Sequence, residues 1–268
     1  MTLNRLVILI KGGGEVGSAV AHKLHRSRFK VCLTEIDQPL AVSRGASFCD
    51  AVYDGAMEVE GVKARRIDAY EEIALTWEGD EIPLLIDPQA RVKGWLKPDI
   101  VVDAIMAKRN TGTAINDAPF VIGLGPGFCA GKDVHVVVET NNSENLGKVI
   151  LQGEAEPNTG IPLQVELLTR ERAMFSPIDG VFHATLKIGD MVRTGDTVGF
   201  VERVAVKVQT DGVLRALLRD GLRISKDTKL GEVDPRGEKW MCYVIRPRMR
   251  TIAGGVLEAV LMRVNTRL

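Results

Sequence analysis

The chain has 268 residues, 45% of them hydrophobic, and its 35 basic side chains balance its 35 acidic ones. That length allows one large domain or two modest ones with a real core, and the balanced charge leaves no electrostatic footprint for nucleic acid or an anionic membrane. No apolar run approaches the roughly 20 residues of a spanning helix, and four scattered cysteines without a CxxC pair argue against a zinc site or a disulfide framework and fit a reducing cytoplasm.

The first apolar run, Leu6 to Ile10, is short and meets three glycines, so it reads as a buried strand rather than a signal peptide. Apolar residues at helical spacing follow over 18–29, then a strand over 30–36. A strand is expected over 62–69 and a helix over 70–79. The runs IPLLIDP (82–88), DIVVDAIMA (99–107), PFVIGLG (119–125) and VHVVVET (134–140) read as further strands. Strands alternating with helices, apolar on both faces, predict a parallel α/β sheet covered by helices, a Rossmann-like domain over 1–156.

The composition changes at PNTGIP (157–162), and short strands and turns follow. Residues 176–201 match the segment beginning at Val208 without gaps at an offset of 32 residues. Asp179-Gly180-Val181 recurs as Asp211-Gly212-Val213, Gly189 as Gly221, Val192 as Ile224, Gly199 as Gly231 and Val201 as Val233. Glycines at matched turn positions with apolar residues between them predict a duplicated small β unit over 170–236. Residues 237–268 are expected to form a strand and a terminal helix, entered at Gly254-Gly255, packing back on the domains.

Gly12, Gly14 and Gly17 fit GxGxxG, with Gly13 between, after a strand and before a helix. In a nucleotide site the first glycine makes the turn, the second lets backbone approach a pyrophosphate, and the helix offers free N–H groups. The ribose partner would be an acid about 20 residues on; Glu35 stands there, with Asp37 beside it. The same pattern also serves as a plain packing turn, and Glu15 places a like charge in the loop. A second loop carries Gly123, Gly125 and Gly127 around Pro126 and could form an anion nest at the same edge of the sheet. Asp87 and Asp103 end strands there, and each alone reads more simply as a turn cap. Lys108 and Arg109 follow Asp103. Cys129 could be a nucleophile, though no partner histidine is marked. His22 and His25 read as a solvated helix face rather than metal ligands.

The duplicated unit resembles biotinyl/lipoyl-type barrel-sandwich domains. The hairpin expected to link its halves, VERVAVKV, carries no modified-lysine tip, so the resemblance implies docking rather than carriage. Over almost its whole length the chain resembles the YqeB-type accessory proteins of selenium-dependent molybdenum hydroxylase systems, distant relatives of xanthine dehydrogenase accessory factors. The resemblance is carried by EVEGVKA (58–64), KPDIVVDAIMAKRNTGT (97–113), APFVIGLGPGF (118–128), AGKDVHVVVETN (130–141), DGVLRALLRDGL (211–222), DPRG (234–237) and AGGVLEAVL (253–261). It implies a maturation factor that binds a molybdopterin-type cofactor, with a molybdenum hydroxylase as partner and a homo-oligomer left open. The glycine loops and strand ends read above would place that cofactor at Gly12, Gly13, Gly14, Gly17, Glu35, Asp103, Lys108, Gly123, Gly125 and Gly127, although the third glycine, Gly17, is not part of the family pattern. Asn142-Ser143-Glu144 stands where the family pattern has Arg-Gly-His. Two other readings remain open at this point. One is an NAD(P)-dependent oxidoreductase using Gly12, Gly14, Gly17 and Glu35, with Lys108 as acid–base. The other is a non-catalytic scaffold.

Overall fold

The computed structural model describes residues 6–158, 165 and 168–265, so the junction expected at 157–162 lies largely outside the described residues. The chain forms two units. The first comprises 6–39, 47–158 and 245–265; the second comprises 40–46 and the described residues from 165 through 244. Residues 40–46, expected inside the first domain, therefore belong to the second unit, and the terminal helix belongs to the first.

In the first unit the elements run β1 (Val7–Lys11), α1 (Glu15–Arg26), β2 (Lys30–Glu35), α2 (Ala51–Asp54), β3 (Ala56–Val59), β4 (Val62–Ile67), α3 (Glu72–Glu78), β5 (Ile82–Ile86), α4 (Val92–Leu96) and β6 (Ile100–Asp103). They continue with β7 (Phe120–Leu124), β8 (Cys129–Ala130), β9 (Val136–Val138), β10 (Val149–Ile150) and β11 (Gly153–Glu154), and close with α5 (Pro247–Asn265). A nine-stranded sheet runs β10-β9-β7-β6-β1-β2-β5-β4-β3. Neighbours from β9 through β4 are parallel, but β10 and β3 are antiparallel, so the sheet is mixed rather than wholly parallel. The reason is local: β3 and β4 are joined by Glu60-Gly61, both at positive φ, and so short a turn can only return the chain antiparallel.

Alternation within the strands sorts the core into two faces. Ile8, Ile10, Val31, Leu33, Val102 and Ile122 pack in the cluster that includes residues of α1 and α5. Leu9, Cys32, Val101 and Val121 pack in the cluster that includes residues of α3 and α4. Helix α5 begins before the glycine pair expected to open it. A side chain on Gly255 would overlap the Gly147 carbonyl oxygen, so this glycine serves close packing within the helix.

The second unit contains β12 (Ala173–Phe175), β13 (Gly180–Ala184), β14 (Met191–Val192), β15 (Thr197–Val201), β16 (Val204–Lys207), β17 (Gly212–Leu217), β18 (Arg223–Ile224) and β19 (Lys229–Asp234). They form two four-stranded sheets, β12-β19-β17-β14 and β16-β15-β13-β18. The repeat seen in the sequence is also a repeat of geometry, and the halves interlock. Val192 of the first half pairs with Gly212 of the second, and Ile224 of the second with Gly180 of the first. The Thr194 N–H donates to Asp211 Oδ1 (2.7 Å), and its equivalent, the Lys226 N–H, donates to Asp179 Oδ1 (2.6 Å). Gly180 and Gly212 share φ values of 156° and 147° that disfavour a side chain. The strand expected after 237 is a short 3-10 turn, Lys239–Tyr243.

Candidate functional site

Within the first unit, β2 leaves β1 on one side and β6 returns on the other, so the chain reverses its direction across the sheet between β1 and β6. In open α/β sheets the crevice at such a point, beyond the carboxyl ends of the strands, is where ligands bind. Both glycine loops and the 104–113 connection leave strands at this edge.

The first glycine loop is shaped by its neighbours. Gly12 turns at φ +95°, and a Cβ there would lie 3.0 Å from the Ala104 carbonyl oxygen and 3.1 Å from Ile105 Cα. A Cβ on Gly17 would overlap the Gly12 carbonyl oxygen, so this third glycine is required for helix-to-strand packing. Ser18 fastens the loop: its hydroxyl donates to the Gly13 carbonyl (2.8 Å) and accepts the Phe48 N–H (2.7 Å). Gly14 caps α1 without a side-chain bond, leaving the first turn to Glu15. Burial raises the Glu35 carboxyl above its ordinary pKa, opposed by N–H groups of Ile36 and Gly13. Glu35 Oε2 accepts the Ile36 N–H (3.0 Å).

The second loop is equally constrained. The Phe128 ring sits where a Gly123 side chain would be, Gly125 lies against the Thr140 hydroxyl, and a Cβ on Gly127 would fall 2.6 Å from Arg109 Cα. Lys108 is exposed at φ 60° in the connection between β6 and β7. Asp103 is not a simple cap. It is 2% exposed and pairs in register with Lys11, which is 6% exposed. Lys11 Nζ lies 3.3 Å from Asp103 Oδ2 and donates to Thr113 Oγ1 at 2.5 Å, while Thr113 Oγ1 donates to Asp103 Oδ2 at 2.5 Å. The sequence carries one faint signal of this cluster, a lysine closing an otherwise apolar strand.

Two arginines complete the edge. Arg246 Nε lies 2.8 Å from Glu15 Oε1, and Arg248 donates to the Thr140 carbonyl oxygen through Nε (3.2 Å) and Nη2 (2.5 Å). Burial lowers the Arg248 pKa from its ordinary value; Arg246 adds to this, and Glu15 and Glu139 oppose it. Glu139 is buried and accepts the N–H groups of Thr140, Asn141 and Glu156, which fixes the loop that presents Thr140. Three basic groups, Lys11, Arg246 and Arg248, thus stand around the strand ends, two of them in contact with acids of the same edge.

The remaining candidates stay apart from this cluster. Asp87 Oδ2 accepts the Val92 N–H (2.8 Å) and ties down α4, the capping role. The Cys129 N–H donates to Asp133 Oδ2 (2.9 Å). His22 is buried rather than solvated, with Nε2 3.4 Å from the Glu60 carbonyl oxygen, and His25 Nε2 lies 3.5 Å from Asp80. Burial lowers the pKa of both imidazoles. Among the described residues no group of three or more His, Cys, Asp or Glu is placed to hold a metal, and no helix is long and apolar enough to cross a membrane.

No protein-family profile matches the chain. It is 41% identical over 256 residues to the uncharacterized protein YqeB of Escherichia coli (strain K12), a match that covers 96% of this chain and 47% of that protein. The chain thus spans about half the length of the curated relative it matches. Among solved structures, the E. coli tRNA N6-threonylcarbamoyladenosine dehydratase TcdA in complex with ATP is 20% identical, covering 46% of this chain and 52% of its own, with a TM-score of 0.30. An aspartoacylase family protein from Mesorhizobium loti is 11% identical over 85% of this chain and 84% of its own, with a TM-score of 0.27. The ectoine utilization protein EutE from Ruegeria pomeroyi is 13% identical over 85% of this chain and 86% of its own, with a TM-score of 0.26.

Proposed function

We propose that the chain is an accessory factor for the maturation of a selenium-dependent molybdenum hydroxylase and binds the phosphate-bearing part of a molybdopterin-type or nucleotide-containing cofactor at the glycine-rich edge. In this reading the first unit is Rossmann-like, and the second is a barrel-sandwich unit that docks the hydroxylase. Support comes from the long motifs shared with YqeB-type proteins and from the 41% identity to E. coli YqeB across most of the chain. The observation that carries the site is the approach of Arg246 to Glu15 at the start of α1, with Arg248 anchored on Thr140 beside Gly125. Guanidinium groups and helix N–H groups together favour a phosphate. Lys108, exposed beyond Asp103, is the further group that could reach a bound cofactor.

The test begins with protein purified anaerobically and denatured, with released small molecules identified by mass spectrometry and molybdenum and selenium measured on the same sample. A molybdopterin species in the native protein, lost in Arg246→Ala, is the expected result. Release of NAD(P) would replace the cofactor reading with a redox one. That reading needs the Glu35 carboxylate to leave the Ile36 N–H for a ribose. Protein that carries nothing, and takes up no molybdopterin when it is supplied, would favour a scaffold.

A further inference from the structure

The connection between β6 and β7 is more than a loop. Its residues 105–112 are exposed or half-buried, and Thr113 is the one buried residue among the described residues 105–113. Its backbone passes both glycine loops: Ala104 and Ile105 lie against Gly12, and Arg109 lies against Gly127. Met106 and Lys108 hold φ values of 61° and 60°, left-handed conformations that ordinary residues keep only when their surroundings impose them. Asn110 closes a local turn by accepting the N–H groups of Gly112 and Thr113. Side-chain anchors hold both ends: Asp103 Oδ1 accepts the Ile105 N–H (3.1 Å) where the segment starts, and Thr113 Oγ1 is set between Lys11 and Asp103 where it ends.

We propose that residues 105–113 form a strap across the crevice and that Lys11, Asp103 and Thr113 are the latch that holds its far end down. The inference rests on the cofactor reading only for what the strap admits; the latch itself is a property of the free protein. A buried hydroxyl shared between an ammonium and a carboxylate is a strong anchor, because each of its hydrogen bonds has a charged partner. Releasing it frees the exposed stretch beyond Met106, which itself packs against the core, the kind of segment that opens locally while the sheet stays folded. Ala104 stays beside Gly12, its N–H on the Lys11 carbonyl oxygen (2.9 Å), while the strap backbone at Arg109 leaves Gly127 and the second glycine loop becomes open to an anion. The direct Lys11–Asp103 pair, 3.3 Å apart, survives the loss of the hydroxyl and keeps β1 and β6 joined.

Hydrogen–deuterium exchange of the full chain decides this. Thr113→Val removes the hydroxyl at nearly constant shape. We expect amides of 107–112 to exchange about tenfold faster, the size of one charge-assisted hydrogen bond, with β1, β6 and β7 unchanged and Thr113→Ser restoring the native rate. Equal exchange in the native protein and Thr113→Val overturns the latch, as does faster exchange throughout the sheet. Inorganic pyrophosphate, titrated into both proteins, tests admission separately. Binding that strengthens in Thr113→Val supports the gate, and binding of equal strength in both overturns it. Silence in both, with faster exchange of 107–112, overturns the cofactor reading and upholds the latch.

Discussion

Removing one partner of the Lys11–Asp103 pair should be far more damaging than removing both. Asp103→Ala leaves the Lys11 ammonium 6% exposed with only the Thr113 hydroxyl, and Lys11→Met leaves a carboxylate that is 2% exposed. Either single change should cost about 3–5 kcal/mol, because a buried charge loses its counter-ion. With an m-value of about 2 kcal/mol per molar, the urea midpoint should fall by about 1.5–2.5 M. The double variant Lys11→Met/Asp103→Leu replaces the pair by apolar groups and should recover most of that loss. The assay is urea unfolding followed by tryptophan fluorescence in a Trp240→Phe background. Trp77 and Trp95 then report the first unit alone, and Trp240 is 59% exposed, so its replacement is mild. The reasoning is refuted if a single variant loses less than about 1 kcal/mol, or if the double variant is as unstable as the sum of the singles.

Gly17→Ala should destabilise the first unit by about 3 kcal/mol or prevent its folding, since the new methyl meets the Gly12 carbonyl backbone rather than a movable side chain; thermal melting checks this. In the second unit, burial pushes the Asp234 carboxyl up, but Arg236 and Arg215 outweigh it and hold the pKa well below the ordinary value. A depressed carboxylate stabilises above its unfolded pKa of about 4 and loses that contribution as pH falls further. Trp240 fluorescence should therefore show acid weakening below about pH 4 that Asp234→Asn flattens. Glu35 carries the opposite sign: its raised pKa means the ionised form is disfavoured in the fold, so stability declines as pH rises through the folded value. Glu35→Gln should gain over the native protein near neutral pH and show no gain below about pH 4, as read from urea midpoints at the two pH values.

Much of the local structure was legible from neighbouring residues. The run at 7–11, its glycines and the helical spacing after them define β1, the turn and α1, because strand pleating and helix rise impose their periods on the nearest residues. The duplication was legible too, since matched glycines and aspartates at 179–180 and 211–212 mark matched turns. The roles of the loop glycines in the first unit were not. Gly12, Gly17 and Gly127 are demanded by backbone that lies elsewhere in the chain, at residues 104–109 and within the loop itself.

The candidate site divides the same way. That glycine loops and acids would end apolar strands follows from chain order and hydropathy pattern, which are local properties. Which of them meet is set by the fold. Lys11 and Asp103 became partners when β6 took its place beside β1, and Glu15 found Arg246 when α5 came back to the first unit. Contacts between residues so far apart in sequence follow from strand order and helix packing, which depend on the burial of the whole apolar surface rather than on any short stretch of chain.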